Sequence, residues 1–328
     1  MAAVFPLTRE SSIMTAVAGE KYKRLINLVA ELPPAPTAVA HPCDEASLSG
    51  VVTAAGMGII RPILVGPAAR IQSTAKTHGL DLAGLEIVDA EHSQEAAHKA
   101  VEIVRSGRAE VLMKGSLSTD ELLSAVVKRD TGLRTARRLS HCFIMDVPGM
   151  DRVLIITDAA INIFPTLEEK IDIAQNAIEL AHCLNLPEPK VAILSAMEKV
   201  NPKLDSTIEA AALCKMADRG QITGGLLDGP LALDNAISAE AARIKKISGP
   251  VAGKADILLV PDLEAGNVLA KSLSFLMNAD SAGIVLGARV PITLTSRADS
   301  LQARLASCAV AVLVAHRRRE MLAQSVVA

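Results

Sequence analysis

Short apolar segments alternate with Ala- and Glu-rich segments along most of this 328-residue chain. Strand–helix–strand alternation produces right-handed crossovers, which lay successive strands parallel in one sheet. The apolar segments that read as strands lie at 37–41, 61–66, 85–88, 111–114, 142–147, 153–157, 191–194, 222–227, 257–260, 284–287 and 291–295. The predicted helices lie at 14–31, 45–56, 67–78, 93–106, 118–129, 166–184, 204–219, 232–246 and 266–279, with a last helix after 295. The pattern predicts an α/β fold with mostly parallel sheets.

The length of the chain favours two α/β lobes, because a single hydrophobic core stops growing beyond about 250–300 residues. Pro148-Gly149-Met150 is a turn signal and marks the boundary between the lobes. We expect the last strand and the last helix to return to the first lobe. The predicted domains are therefore a discontinuous first lobe, 1–148 plus 288–328, and a second lobe, 149–287.

Aromatic residues are scarce, with no Trp, one Tyr and four Phe. The core must therefore be built from Ala, Val, Ile and Leu, as in parallel sheets that are covered by helices. The scarcity also removes the platforms on which single-stranded nucleic acid stacks. Together with a formal net charge of −2, it argues against nucleic acid and membrane surfaces as partners.

The five cysteines are scattered and include no C-x-x-C pair, so the sequence indicates neither a disulfide framework nor a zinc site. This usage favours a reducing compartment, and we expect the protein in the cytoplasm. The first ten residues include Arg9 and Glu10 rather than a signal-peptide core. The longest late apolar run, 306–315, is too short to span a bilayer.

Polar residues follow the predicted strands in succession. Ligands of open parallel sheets bind beyond the carboxyl ends of the strands, so these residues are candidates for binding substrate. They are Lys114, Thr119, Asp158, Asn162, Asp228, Asp234, Asp262 and Asn267. Each taken singly is also typical of a turn or a helix N-cap. Their succession predicts one cleft that is lined from both lobes.

The segment Pro291–Ser300 joins a short predicted strand to the last helix and carries Ser296, Arg297 and Asp299. Unpaired N–H groups at a helix start attract anions such as phosphate, and the guanidinium of Arg297 strengthens that attraction. A structural alternative stands beside this interpretation. In it, Ser296 is only an N-cap and Asp299, three residues on, is its capping-box partner.

Arg134, Arg137 and Arg138 are spaced so that they share one face if their segment is helical. Such a face is able to hold several phosphates, although a solvated basic surface has the same pattern. The sequence contains no Walker loop, H-E-x-x-H, G-x-S-x-G or EF-hand pattern. It therefore predicts no metal site.

Five motifs stand out in order along the chain. They are Lys114-Gly, Thr-Asp-Ala-Ala-Ile-Asn at 157–162, Asp-Gly-Pro-Leu-Ala-Leu-Asp at 228–234, Pro-Asp-Leu-Glu-Ala-Gly-Asn at 261–267 and Thr-Ser-Arg at 295–297. From about residue 20 to the C-terminus the chain thereby resembles the phosphate acetyltransferase and phosphate butyryltransferase family. The run Thr-Ser-Arg-Ala-Asp-Ser is more similar to the butyryltransferase-like branch than to the acetyl-specific one.

The resemblance implies reversible transfer of a short acyl group, acetyl or butyryl, between coenzyme A and inorganic phosphate, which gives acyl phosphate. Coenzyme A is then a substrate, and no cofactor is expected. The implied fold has two α/β lobes with a cleft between them, as in the isocitrate and isopropylmalate dehydrogenases. The family resemblance also implies a homodimer.

In this family a Ser-Arg pair after the last strand holds phosphate and the reacting acyl group, a role that carries over to Ser296 and Arg297. The family's acetyl branch has an Asp six residues beyond that Arg as the base for the thiol of coenzyme A, whereas this chain has Ala303 there. Asp299 is the nearby carboxylate, and we assign it as the base. Arg134, Arg137 and Arg138 are assigned to the phosphates of coenzyme A.

Two other functions remain open at this point. A metal-dependent decarboxylating dehydrogenase has the same architecture, and fold alone does not choose between the two classes. A non-catalytic protein that binds coenzyme A or phosphate would keep the cleft without a base. Turnover of acyl-coenzyme A separates the non-catalytic protein from the acyltransferase.

Overall fold

A computed structural model describes residues 21–296 and 298–327 of the chain, without the side chains of 325–327. The described strands are β1 (Ala35–Ala40), β2 (Ile60–Gly66), β3 (Glu86–Asp89), β4 (Val111–Lys114), β5 (Ser140–Asp146), β6 (Leu154–Thr157), β7 (Lys190–Leu194), β8 (Leu226–Leu231), β9 (Ile257–Leu259), β10 (Asp280–Leu286) and β11 (Ile292–Thr293). The described helices are α1 (Lys21–Ala30), α2 (Glu45–Gly56), α3 (Ala68–His78), α4 (Ser93–Arg105), α5 (Thr119–Val126), α6 (Leu167–Cys183), α7 (Asp205–Asp218), α8 (Leu233–Ile237), α9 (Ala239–Ile244), α10 (Leu263–Leu276) and α11 (Leu301–Val327).

Two elements differ most from the sequence-based prediction. The strand expected at 222–227 lies at Leu226–Leu231 and includes Gly229 and Pro230. A Cβ on Gly229 would lie 2.8 Å from the carbonyl oxygen of Ile193, so glycine permits close pairing, and β8 is an edge strand, where proline is tolerated. The helix expected at 232–246 is split at Ser238, whose side chain caps α9. The part of the predicted helix 14–31 before Lys21 lies outside the described residues.

The Cα positions divide the chain into two compact units. The first unit comprises Leu25–Arg137 and the residues from Ala282 onward. The second unit comprises Arg138–Ser281 and the residues up to Arg24. The domain boundaries predicted from the sequence, at residues 148 and 288, stay predictions.

In the first unit the strand order is β3-β2-β1-β4-β11-β10. All neighbours are parallel except β11 and β10, which are antiparallel. Ala40 of β1 pairs with Lys114 of β4, and Thr293 of β11 pairs with Met113. The carboxyl ends of these three strands therefore lie side by side at one edge. Helix α11 contributes a fully apolar segment, Cys308–Ala315, to the core of this unit.

In the second unit the strand order is β5-β6-β9-β7-β8. Strands β5 and β6 are antiparallel, and the remaining pairs are parallel. The core is built from aliphatic residues such as Leu154, Ile156 and Leu258, in keeping with the scarcity of aromatic residues. The prediction of an α/β fold with mostly parallel strands is confirmed. Across residues 21–296 and 298–327 no helix combines the length and the apolar character that a membrane span requires.

Candidate functional site

The site in the first unit is built at the carboxyl edge of its sheet. His41 follows β1, Lys114 ends β4, and Thr295 and Ser296 follow β11 within two and three residues. Because these strands are parallel neighbours, their polar ends are brought to the same edge. The sequence-based assignment of Lys114 and Ser296 to strand ends agrees with this arrangement.

Lys114 places a buried ammonium group at this edge, with only 6% of the residue exposed. Its Nζ donates to the carbonyl oxygen of Leu117 at 3.1 Å and to that of Gly115 at 3.4 Å. Gly115 lets the backbone after β4 pass close to the backbone at the end of β1, because a Cβ there would lie 2.5 Å from the carbonyl oxygens of Ala40 and His41. The result is a fixed positive charge that is well placed to attract an anion.

His41 and Ser116 fix the loop after Lys114. The hydroxyl of Ser116 donates to the carbonyl oxygen of His41 at 2.8 Å, and the Nδ1 of His41 lies 3.0 Å from the same hydroxyl. The backbone N–H of Cys43 also donates to the hydroxyl oxygen of Ser116 at 3.3 Å. Burial, and next the positive charge of Arg70, lower the pKa of His41, so the imidazole is neutral at pH 7. Sequence reasoning missed this pair because its members are 75 residues apart.

Ser296 and Asp299 form a turn rather than the start of the last helix. Asp299 Oδ2 accepts the backbone N–H of Ser296 at 2.7 Å, and the N–H of Asp299 donates back to the carbonyl oxygen of Ser296 at 3.2 Å. Helix α11 begins at Leu301, and the hydroxyl of Ser300 accepts the N–H of Ala303 at 3.1 Å. Ser300 therefore caps the helix, and the interpretation of Ser296 as its N-cap is wrong. Ser296 is exposed.

Asp299 is a half-buried carboxylate with an altered proton affinity. Burial raises its pKa, while the hydrogen bond from Ser296 and the positive charges of Arg304 and Lys114 lower it by less. A carboxylate with a raised pKa is a better proton acceptor than an ordinary one, as general-base catalysis requires. Ala303, at the position of the acetyl branch's Asp, is buried and offers no carboxylate. Arg297 lies outside the described residues.

Arg304 holds the same turn from the second turn of α11. Only 4% of the residue is exposed. Its Nη1 donates to the hydroxyl of Thr295 at 3.0 Å, and its Nη2 donates to the carbonyl oxygen of Ser296 at 2.8 Å. Sequence reasoning missed this residue, although a signal was present: Arg304 is the one charged residue in the stretch 301–315.

The Thr157–Asn162 motif builds a compact turn in the second unit. Asp158 is only 3% exposed, and its Oδ1 accepts the backbone N–H groups of Ala160 and Ile161 at 2.9 and 3.1 Å. Asn162 donates its side-chain amide to Asp158 at 2.6 Å and accepts the Nε of Arg138 at 2.8 Å. The structure thus brings Asp158, Asn162 and Arg138 together. Asp158 contacts Asn162, and Asn162 in turn contacts Arg138.

The segment around Arg134, Arg137 and Arg138 is not helical, so the condition for a shared helical face is not met. Arg134 forms an isolated antiparallel bridge with Ala288. The backbone N–H groups here donate to side chains: that of Arg137 to the hydroxyl of Thr135 at 3.1 Å, and that of Arg138 to Asp172 Oδ2 at 2.7 Å. The assignment of the three guanidiniums to coenzyme A does not depend on a helix and stays a prediction.

Asp228 and Asp234 differ in environment. Asp228 is half-buried in β8, and burial raises its pKa. Asp234 is exposed, with an Oδ2 that lies 2.9 Å from the Nζ of Lys245. The same ammonium group lies 2.6 Å from Glu198, so Asp234 belongs to an ion-pair network that joins the loop after β7 to α8.

The remaining three predicted substrate-binding residues lie near helix starts. Asp262 caps α10, because its Oδ1 accepts the N–H of Ala265 at 2.9 Å. Asn267 donates its side-chain amide to the carbonyl oxygen of Ala159 at 3.2 Å. Thr119 is the first residue of α5. Among the described residues, no group of three or more His, Cys, Asp and Glu side chains is arranged to hold a metal ion.

Comparison with known proteins identifies relatives over most of the chain. The family model described as phosphate acetyl/butaryl transferase matches residues 90–312. A phosphate acetyltransferase from Rhizobium meliloti is 66% identical over 299 residues, which are 91% of this chain and 95% of that protein. A phosphate butyryltransferase from Clostridium beijerinckii is 43% identical over 300 residues, which are 92% of this chain and 99% of that protein.

A solved structure of a phosphotransacylase also resembles this chain. The branched-chain phosphotransacylase from Enterococcus faecalis V583 superposes with a TM-score of 0.76 at 33% identity, covering 86% of this chain and 99% of that one. The family model and these relatives define an acyltransferase. The chain belongs to the phosphate acetyl/butyryl transferase family.

Proposed function

We propose that this protein transfers a short acyl group reversibly between coenzyme A and inorganic phosphate. The observation that carries the proposal is the edge of the first unit, where an exposed Ser296 and the raised-pKa carboxylate of Asp299 share one turn. The ammonium group of Lys114 acts electrostatically on that carboxylate. The names of the relatives, phosphate acetyltransferase and phosphate butyryltransferase, support the same reaction.

The chemistry needs a proton acceptor and positive charge at one place. In the direction of acyl-coenzyme A synthesis, Asp299 takes the thiol proton and the sulfur forms a bond to the acyl carbon. The bond from that carbon to the phosphate oxygen breaks, and phosphate leaves as an anion. Arg297 and Lys114 stabilise the charge that develops on phosphate, and Ser296 donates to the reacting acyl phosphate. Holding both substrates in place supplies much of the remaining acceleration.

We assign the other predicted residues to substrate binding. Arg134, Arg137 and Arg138 bind phosphates of coenzyme A, and Asn162 orients Arg138 through the bond to its Nε. The remaining residues that we assign to substrate binding are Thr119, Asp158, Asp228, Asp234, Asp262 and Asn267. Coenzyme A acts as a substrate in this scheme, and the reaction uses no further cofactor.

The test of this function is release of free thiol from a series of acyl-coenzyme A thioesters in the presence of phosphate and a chelator. We expect thiol release that requires phosphate and is fastest for one short acyl chain between acetyl and butyryl. The series also includes the branched isobutyryl thioester, which measures the width of the acyl pocket. Activity that the chelator abolishes and magnesium or manganese restores would favour the dehydrogenase alternative. Thioester binding without turnover would favour the non-catalytic one.

We also propose that the protein is a homodimer in a reducing, cytoplasmic compartment. Helix α10 and the residues just after it expose Phe275 and Leu276 at 73% and 77%, together with Val268 and Met277. Exposed apolar patches of this kind mark protein–protein contacts. The five cysteines, all within the described residues, form no disulfide, which suits a reducing compartment.

The dimer is tested by placing a charge in the patch. We expect Leu276→Asp to elute at the mass of one chain in size-exclusion chromatography with light scattering, whereas the unmodified protein elutes at twice that mass. The matched control is Met57→Asp, which places the same charge on an exposed apolar residue of the first unit. A wild-type protein that elutes as one chain, or a Leu276→Asp protein that remains dimeric, would contradict the proposed interface.

A further inference from the structure

We propose that Arg304 is a positioning residue that sets the geometry of the Ser296–Asp299 turn, and that Gly50 on α2 provides the space for its side chain. The inference rests on the proposed function and adds two residues to it. Neither residue belongs to the motifs that identify the family in the sequence.

The hydrogen bonds of Arg304 point to a positioning role. One nitrogen of its guanidinium holds the hydroxyl of Thr295 and another holds the carbonyl oxygen of Ser296. These are the two residues immediately before Arg297 in the sequence. A planar guanidinium with donors in a fixed fork holds two acceptors in one relative geometry, which an ammonium group does not do.

The burial of Arg304 indicates that this arrangement is specific. Burying a charged group is unfavourable unless it is paired and hydrogen-bonded. Arg304 is nevertheless almost fully buried in an apolar stretch of α11, and its charge acts on Asp299 by lowering the pKa of that carboxyl. Arg304 therefore affects both the backbone of the turn and the proton affinity of the proposed base.

Gly50 explains how the side chain is accommodated. Gly50 lies inside α2, where glycine is less favourable than alanine. A Cβ at this position would lie 3.2 Å from Cδ of Arg304 and 3.6 Å from its Cβ. An added methyl group would therefore press on the middle of the side chain, which would have to give by a few tenths of an ångström. The same helix ends at Gly56, where an added Cβ would meet nothing within 4 Å.

The first experiment compares Arg304→Gln and Arg304→Lys by kinetics. We expect Arg304→Gln to lower kcat by about 10²-fold, a typical effect of losing preorganised geometry, with a smaller change in the KM for acyl-coenzyme A. The acid limb of its pH–rate profile should move to higher pH, because one of the positive charges that lower the pKa of Asp299 is gone. Arg304→Lys keeps the charge but loses the fork, so its acid limb should stay in place while kcat recovers only in part.

The second experiment uses the two glycines as a matched pair. We expect Gly50→Ala to lower kcat by roughly three- to tenfold, because small displacements of positioning groups are costly. Gly56→Ala should match the wild-type rate. This pair keeps the inference testable if Arg304→Gln fails to fold.

Amide hydrogen exchange of the peptide that spans 291–300 gives a readout that does not depend on the reaction. We expect faster exchange at Ser296 and Asp299 in Arg304→Gln and in Gly50→Ala, and unchanged exchange in Gly56→Ala. The inference would be overturned if the wild type is active and Arg304→Gln and Gly50→Ala both keep its hydrogen exchange, its kcat per folded molecule and its pH profile. An inactive wild type with faster exchange in the variants would instead overturn the proposed function and leave the positioning role supported.

Discussion

Arg297→Ala lowers kcat by about 10²- to 10³-fold, the size expected when one charge-stabilising donor is removed from an anionic transition state. The reason is that phosphate carries its negative charge away as the acyl bond breaks. The loss should appear in kcat at saturating substrate and in kcat/KM alike, because the charge develops in the transition state. Steady-state kinetics with acetyl and butyryl thioesters measure both quantities.

Two comparisons make this result specific. Arg297→Lys keeps a positive charge without the planar fork and should recover part of the rate. Arg243→Ala removes an exposed guanidinium of α9 and should leave the rate unchanged. The turn is held by Asp299 and Arg304, so the melting temperature of Arg297→Ala should stay near that of the wild type. A variant that merely melts earlier, with normal turnover of its folded fraction, would show that Arg297 is structural.

Asp299→Asn is expected to lower kcat near neutral pH by roughly 10²- to 10⁴-fold, the range for loss of a general base. Asparagine keeps the size of the side chain and an oxygen that is able to accept the N–H of Ser296, but it does not accept a proton. The thiol of coenzyme A has a pKa of about 8.5, so more thiolate forms unaided as the pH rises. The deficit of the variant should therefore shrink between pH 6 and pH 9.

The sign of the pKa shift gives a second readout of Asp299. Its folded-state pKa is raised, mainly by burial, so the ionised carboxylate is less favourable in the folded protein than in the unfolded chain. Its contribution therefore favours folding below the ordinary carboxyl pKa and becomes unfavourable as the pH rises through the raised value. At pH 8, Asp299→Asn should be at least as thermally stable as the wild type.

The wild-type rate should also report the titration of Asp299. A base must be ionised, so activity should fall as the pH decreases through the raised pKa of Asp299, above the range of an ordinary aspartate. Asp218→Asn, at an exposed position on α7, is the control and should keep the wild-type profile. Normal turnover of Asp299→Asn from pH 6 to pH 9 would remove Asp299 from the mechanism, and the base would have to be sought elsewhere.

Local periodicity explains why most of the fold was predictable. The apolar segments are short and bounded by Gly, Pro or Asp, so strands such as β2 and β4 were placed within a residue or two. The prediction of β8 was displaced because Asp228-Gly229-Pro230 is typical of a turn. Close pairing with β7, which only tertiary structure shows, keeps these residues in the strand.

The site was predictable only where it follows strand ends. Lys114 and Ser296 were predicted as site residues because ligands of open parallel sheets bind beyond the carboxyl ends of the strands, and both residues do lie at or just after strand ends. The pairing of His41 with Ser116 depends on the register between β1 and β4, and no local pattern reveals that register. Arg304 contacts Ser296 from within the next helix, eight residues on. For the arginines near 134–138, spacing alone does not show whether the segment is helical, because it does not reveal that a backbone donor there is used by a side chain.

The most direct test of the central claim is phosphorus-31 magnetic resonance of the wild-type protein mixed with acyl-coenzyme A, phosphate and a chelator. A covalent acyl phosphate gives a signal distinct from that of inorganic phosphate, and free thiol is titrated in the same sample. Reversible transfer predicts one acyl phosphate for each thiol released, and the signal should disappear when excess coenzyme A is added. Thiol release that leaves the inorganic phosphate signal unchanged would show hydrolysis instead and would contradict the account.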